Sequence, residues 1–153
     1  PLLMSGFFVD ELSPAARSFC RQVDVVSVKG SQVPLELWTF DISNFPDDTL
    51  VPTRTFADDN PNLAVDQLPV DFANDLYYRE LQKGIDPLFM QSFNDALQDY
   101  IAGDWKTAKT HLTDALKRYP DDGPSKILMK VLAADKFQAP ANWKGFRALT
   151  SKT

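Results

Sequence analysis

Very few side chains in this chain have both the type and the position that chemistry requires. Lys29 lies where a predicted strand opens into a turn at Gly30. Because side chains alternate along a strand, Ser27 and Lys29 share one face. Val26 and Val28 share the other face, which belongs against a core. The sequence therefore predicts a single cationic side chain at the wall of an open cleft.

The other reactive side chains are isolated. His111 has no Cys or second His near it, so an exposed helix position is favoured over a general base or metal ligand. Cys20, on a predicted short helix, is interpreted as a packing residue rather than a nucleophile. Four aspartates lie in a polar connector: Asp47, Asp48, Asp58 and Asp59. They lack the regular spacing, central Gly and terminal Glu of a calcium loop, so a solvated loop is favoured.

The composition excludes several functional classes. The chain has 153 residues and a net charge of -5, and no basic cluster, so we expect no nucleic-acid partner. No apolar run approaches the roughly 18–20 residues of a membrane span, so we expect no direct membrane insertion. A single Cys cannot form an intrachain disulfide and is compatible with a reducing compartment. These features favour a cytoplasmic location.

The elements that would position Lys29 occupy the first forty residues. The sequence predicts a strand entering a helix at Leu2–Val9 and a helix start with Ser13 as cap and Pro14 at its first position. Two further strands are predicted at Val23–Lys29 and Val33–Phe40. These few strands and helices bury too little apolar surface to fold alone. They therefore need a partner, which is either the missing part of a sheet or the C-terminal half of the chain.

The second half of the chain has helical signals, which begin after Asp66. In the first segment Leu76, Leu81 and Ile85 lie at helical spacing, and Gly84 ends it. Asp86 and Pro87 open the second helix, and Gly103 ends that one. A third segment follows from Trp105, and a fourth helix starts near Pro124. The fourth helix has four apolar positions at helical spacing: Ile127, Leu128, Val131 and Leu132. The last residues are predicted to form an extended tail.

The central helical hairpin, "FMQSFNDALQDYIAGDWKTAKTHLTDALKRYP", has a specific spacing. Small residues at Ala96, Ala108 and Ala115 allow two helices to approach closely around the turn at Gly103, and Pro120 ends the second helix. This spacing resembles one tetratricopeptide repeat (TPR). Such a hairpin is either a peptide-binding groove or a scaffold that packs on its neighbour, and a single copy favours the scaffold. Four aromatic side chains are candidates for partner binding or packing: Tyr100, Trp105, Trp143 and Phe146.

Four stretches of the first half follow one another in a specific order: Met4–Ser5, Ser13–Arg21, "VDVVSVKG" and "PLELWTF". Together they resemble the C-terminal end of the catalytic domain of a class III nucleotidyl cyclase. That domain ends with a strand closing in Ser, a short helix, a strand of the form I/V-D-x-V-x-V-K-G, and a strand beginning with Pro. Many microbial and protist members continue into helical motifs that match Tyr100–Ala108, Pro120–Ser125 and Trp143–Lys152.

The resemblance implies a role for Lys29, because the Lys of the V-K-G motif contacts the triphosphate of the substrate. The parent enzyme would convert ATP or GTP into a cyclic nucleotide and pyrophosphate with two Mg²⁺ or Mn²⁺ ions. The metal-binding, purine-selecting and transition-state residues of the family would precede Pro1. We therefore expect this chain to hold no metal or catalytic residue and to be inactive alone. The start at "PLLMSGFF" suggests a fragment of a longer protein, with a processed chain as the alternative.

The expected architecture is α+β and mostly helical. Residues 1–42 would end the cyclase domain, 43–65 would form a linker, and 66–153 would form a TPR-like helical domain with an extended tail. The expected partners are the rest of the catalytic domain and a second copy or a peptide at the helical part. Tethering of the parent to a membrane stays open. The alternative function is a TPR-like interaction module with a non-catalytic cyclase-like remnant.

Overall fold

The computed structural model describes residues 2–31, 33–42 and 81–149 of the chain. Within these ranges the fold is mixed α+β, with five helices and a four-stranded sheet. This confirms the α+β class that the sequence predicts. The whole predicted linker 43–65 and most of the helix predicted before Gly84 lie outside the described residues. No helix in the described ranges is long and apolar enough to cross a membrane.

The N-terminal part contains three strands and two short helices. In chain order they are β1 (Leu2–Ser5), α1 (Gly6–Asp10), α2 (Pro14–Arg17), β2 (Cys20–Ser27) and β3 (Leu35–Phe40). The strand order in the sheet is β1-β3-β2, and β3 is antiparallel to both neighbours. β1 and β2 therefore run in the same direction, and α1 and α2 form the crossover between them.

The predicted cap of α2 is confirmed, but one residue is placed differently. The Ser13 hydroxyl accepts a hydrogen bond from Ala16 N at 3.2 Å, with Pro14 in the first turn. Cys20 was predicted on the helix, and this is wrong, because it is the first residue of β2 and pairs with Phe40. The helix ends after a single turn, since pairing with β3 takes over the backbone from Cys20 onward.

The C-terminal part is built on three longer helices. They are α3 (Pro87–Ala102), α4 (Trp105–Arg118) and α5 (Gly123–Ala134). Each begins at an aspartate whose side chain accepts a backbone N–H of the first turn: Asp86, Asp104 and Asp122. Gly103 ends α3 in the left-handed conformation, with φ of 87°, as its position predicts. The Arg118–Asp86 ion pair and the contact between His111 and Asp99 show that α3 and α4 run antiparallel.

The main core lies between these helices and one face of the sheet. The small residues Ala96, Ala108 and Ala115 are fully buried, which is the close helix approach that their spacing predicts. In α5, Leu128 and Leu132 are buried as predicted. Ile127 is 53% exposed, so its predicted place in the apolar stripe is wrong. The buried stripe of α5 is therefore narrower than the periodicity indicates.

The end of the chain returns to the sheet. The tail was predicted to be extended, but it turns back after α5 and ends in a short strand, β4 (Arg147–Ala148). β4 pairs in parallel with the last residues of β2, with Val26 opposite Arg147 and Ser27 opposite Ala148. Val23 of β2 also belongs to the helical core. The sheet and the helices therefore share one packed interior in the described part of the chain.

Candidate functional site

Lys29 lies in the turn that follows β2. The turn is closed by a hydrogen bond of 3.0 Å from Ser31 N to Val28 O, and Gly30 has a φ of 93° that favours glycine. The side chain of Lys29 is exposed. Its ammonium group forms no ion pair with any other described residue. The arrangement leaves one positive charge available to an anion at the end of the sheet.

A buried charge cluster lies between the sheet and the helices. Arg21 of β2 donates from Nε to Asp41 Oδ2 at 2.6 Å and from Nη2 to Asp122 Oδ1 at 2.9 Å. Its guanidinium also lies over the rings of Phe89 and Phe93, with 5.1 and 4.3 Å to the ring centroids. Only 2% of the Arg21 side chain is exposed. This cluster joins β2, the residue after β3, and the first turn of α5.

The hydrogen bonds in this cluster stabilise the charged form of Arg21 and of Asp122. Burial by itself lowers the pKa of Arg21, but the hydrogen bonds to Asp41 and Asp122 outweigh it and raise the pKa. Burial likewise raises the pKa of Asp122, but the bonds from Arg21 and Ser125 bring it below its usual range. The guanidinium of Arg21 and the carboxylate of Asp122 therefore stay charged and paired. The cluster fixes the contact between sheet and helices, and it offers no unpaired group for catalysis.

Three of the candidate aromatic residues form one stack at the turn between α3 and α4. The Tyr100 ring lies 5.8 Å from Trp105 and 5.0 Å from Trp143, and the two tryptophan rings are 5.0 Å apart. Trp105 Nε1 and Trp143 Nε1 both donate to Tyr100 O at 3.1 Å. Tyr100 is 0% exposed and Trp105 2% exposed, so these two rings pack in the interior rather than present a surface to a partner.

Phe146 lies apart from this stack, next to the end of β2. It is half-buried and lines a cavity of about 370 Å³ together with Ser27, Trp143 and Arg147. Arg147 donates to Asp24 Oδ2 from Nε at 2.8 Å, and its Nη2 lies 2.7 Å from the same oxygen. Burial raises the pKa of Asp24, and the ion pair with Arg147 opposes this shift.

The remaining reactive residues are placed away from these groups. His111 is partly exposed on α4, and its Nδ1 lies 2.9 Å from Asp99 Oδ2. Burial raises the pKa of the Cys20 thiol, a shift that Arg17 partly opposes, which disfavours the reactive thiolate. Among residues 2–31, 33–42 and 81–149, no group of three or more His, Cys, Asp or Glu side chains is arranged to hold a metal ion.

The sequence reasoning missed the two buried ion pairs. Arg21 and Asp24 are charged residues in a strand that is otherwise rich in valine, which is a signal for buried partners. Their partners Asp122 and Arg147 lie 101 and 123 residues further along the chain. No local sequence pattern connects residues so far apart in the chain. The two charged residues in β2 therefore indicate that buried partners exist, but the sequence does not identify those partners.

Comparison of the chain with protein-family models, curated proteins and solved structures found no match.

Proposed function

We propose that this chain is the C-terminal portion of a class III nucleotidyl cyclase. The parent enzyme converts ATP or GTP into the 3′,5′-cyclic nucleotide and pyrophosphate. Lys29 contacts the triphosphate, and the helical part serves as a regulatory or docking module. The proposal starts from the sequence motifs that end in "VDVVSVKG" and "PLELWTF".

The observation that carries the proposal is the order of elements around Lys29. A strand that ends in Ser5 leads through short helices to β2, then to the turn with Lys29, and then to β3. This is the order that the cyclase resemblance implies for the end of the catalytic domain. The exposed ammonium of Lys29, in the turn that follows β2, suits a contact with phosphate oxygens. A charge-assisted hydrogen bond of this kind contributes about 1.5–3 kcal/mol.

The outer edge of the sheet supports a partner for the N-terminal part. β1 is an edge strand in the described sheet, and its Leu2 and Leu3 are 58% and 65% exposed. Phe7 and Phe8 of the following helix are also exposed. An exposed strand edge flanked by apolar side chains is a place where another strand adds readily. In the proposal, upstream strands of the catalytic domain cover this edge.

The chemistry itself belongs to residues outside this chain. Phosphoryl chemistry of this type depends on positioned metal ions and charge clamps. In the proposal, the Mg²⁺ or Mn²⁺ site belongs to the upstream part of the parent, because the resemblance places the metal-binding residues of the family before the motifs matched here. We therefore propose that the chain alone is inactive.

The TPR-like character of the helical part is also a proposal. We propose that α3 and α4 form a TPR-like hairpin. The buried small residues Ala96, Ala108 and Ala115 and the left-handed turn at Gly103 support this proposal. In this description the buried aromatic stack is a scaffold element.

The test compares cyclic nucleotide formation by the parent enzyme and by this chain, each with Mn²⁺ and either ATP or GTP. We expect turnover by the parent and none by the chain. In the parent, Lys29→Ala should raise the nucleotide KM or lower kcat/KM by about 10–150-fold, which is the loss of 1.5–3 kcal/mol. Lys130→Ala removes an exposed lysine on α5 and serves as the control. Turnover by the chain alone, or unchanged kinetics of Lys29→Ala, would contradict the proposal.

A second candidate is an interaction module with a non-catalytic cyclase-like remnant. The observation that favours it is the exposure of large apolar side chains on the helical part, Leu88 at 52% and Ile127 at 53%. Such residues suit a peptide or a second copy of the chain. Light scattering over a range of concentrations would test self-association. A chain that stays monomeric and captures no peptide would count against this candidate.

A further inference from the structure

Residues 139–149, here called the C-terminal strap, fasten the end of α3 to the end of β2. At one end, Trp143 Nε1 donates to Tyr100 O and Ile101 O, both at 3.1 Å. These carbonyls belong to the last turn of α3, where helix carbonyls lack partners within the helix. Gly145 has a φ of 87°, and a Cβ there would lie 3.3 Å from Ile101 O. The strap is therefore held closely against the turn between α3 and α4.

The other end of the strap is bonded to β2 immediately before the turn that contains Lys29. Arg147 is paired with the buried carboxylate of Asp24, which is 6% exposed. Leu149 N donates to Ser27 O at 2.9 Å. These contacts join the strap to β2 both by backbone pairing and by a charged pair with low solvent exposure.

The hairpin itself holds this part of β2 only weakly. The register between β2 and β3 ends at Val26 opposite Leu35, so Ser27 has its strand partner in the strap, at Ala148. Lys29 lies two residues further on. The backbone that leads to Lys29 is therefore held from the strap side and not by continued pairing with β3.

We propose that Arg147 is a positioning residue for Lys29. Through its ion pair with Asp24 it keeps the strap on β2, and the strap holds Ser27 and the following turn in place. The helical hairpin is then mechanically joined to the phosphate-contacting turn through Trp143. This inference rests on the proposed function for the role of Lys29. Whether the strap holds the turn can be tested without relying on the proposed function.

The first experiment measures amide hydrogen exchange in the chain itself. Arg147→Gln should speed exchange at Ser31, whose N–H closes the turn, by about tenfold or more, because the strap is released from β2. Arg147→Lys keeps a positive charge and should restore part of the protection. Arg118→Gln removes an ion pair of similar length with Asp86, at the opposite end of the α3–α4 hairpin from Trp143, and it serves as the matched control. Equal exchange at Ser31 in the Arg147 variants and the control would overturn the proposal.

A second variant covers the case in which Arg147→Gln fails to fold. Leu149→Pro removes the backbone N–H that bonds Ser27 O, and it replaces a side chain that is 41% exposed. We expect the same faster exchange at Ser31 in this folded variant. Unchanged exchange in Leu149→Pro would contradict a role of the strap in holding the turn.

The kinetic experiment uses the parent enzyme and a double-mutant cycle. Arg147→Gln should raise the nucleotide KM several-fold in the presence of Lys29 and have no further effect in the Lys29→Ala background. Effects that multiply would show that Arg147 acts only on general stability and would overturn its positioning role. If Lys29→Ala alone changes nothing, the proposed function fails, while the exchange experiment still decides whether the strap holds the turn.

Discussion

The guanidinium of Arg21 and the carboxylate of Asp122 lie 2.9 Å apart and join the second strand of the sheet to the first turn of α5. The same guanidinium binds Asp41, and only 2% of its side chain is exposed. The contact is the principal charged connection between the sheet and α5 in the described ranges. It fixes α5 against the sheet, and it leads to the first two predictions.

Replacing Arg21 should strongly destabilise the protein. Arg21→Met leaves the carboxylates of Asp41 and Asp122 without their partner, and removing one member of a buried pair costs about 3–5 kcal/mol. The free energy of unfolding in urea measures the loss. Arg17→Met breaks a surface pair with Asp10, in which the Arg17 side chain is 46% exposed, and should cost less than about 1 kcal/mol. Equal losses in the two variants would contradict the importance of the buried cluster.

Asp122 should make the protein sensitive to acid. Its folded-state pKa lies below the unfolded value of about 3.9, so its contribution is fully present above that pH and is lost as the pH falls through the folded pKa. Asp122→Asn retains a side chain that can cap α5 but removes the charge. The free energy of unfolding of this variant, measured from pH 7 to pH 2, should fall less steeply with acidification. Asp121→Asn, at a fully exposed side chain, should follow the wild type. An Asp122→Asn curve parallel to the wild-type curve would rule out this linkage.

Two glycines should respond to alanine in opposite ways. Gly103 has a φ of 87°, and a Cβ there would lie 3.3 Å from Trp143 Cδ1, so Gly103→Ala should cost about 1–2 kcal/mol. Gly123 opens α5, and a Cβ there has no atom of its surroundings within 4 Å. Gly123→Ala should therefore be neutral or stabilise by up to about 1 kcal/mol. Thermal unfolding of both variants provides the measurement, and a stable Gly103→Ala protein would contradict the tight packing of Trp143 on this turn.

Removing the Tyr100 hydroxyl should not destabilise the protein. The hydroxyl is buried and has no hydrogen-bond partner among the described residues, and burial together with nearby Asp24 raises its pKa. Tyr100→Phe keeps the ring stack and should be neutral or stabilise by about 1 kcal/mol. Tyr119→Phe is the matched control, because Tyr119 Oη donates to Gly84 O at 2.6 Å and accepts from Asp86 N at 3.1 Å. We expect this control to lose about 1–2 kcal/mol. A similar loss in Tyr100→Phe would show that its hydroxyl has a partner.

The features that the sequence predicted best are those that neighbouring residues decide. Ser13 caps α2, Asp86 caps α3, and Gly103 ends α3 as expected. Caps and left-handed turns depend on a side chain and the backbone within three or four residues of it, so local spacing is sufficient to predict them. The turn that exposes Lys29 belongs to the same class, since Gly30 favours its left-handed backbone.

Strand positions and faces were predicted less well. Arg21 and Asp24 are three residues apart, and strict alternation would place them on opposite faces of β2. The register with β3 shifts between Gln22 and Asp24, and the resulting irregularity allows both charges to reach partners in the C-terminal part. Cys20 was assigned to the helix for a related reason, since pairing with Phe40 rather than local propensity decided where β2 begins.

The sequence by itself determined the mixed class, the helix boundaries at their caps, and the small residues that pack α3 against α4. Only the tertiary structure decided that Arg147 pairs with Asp24, that Arg21 pairs with Asp122, and that the strap continues the pairing of β2 beyond β3. The physical reason is the range of the interactions. Caps and periodicity act over a few residues of backbone, whereas a buried charge takes its partner from whichever element the packing of the whole chain brings within about 3 Å.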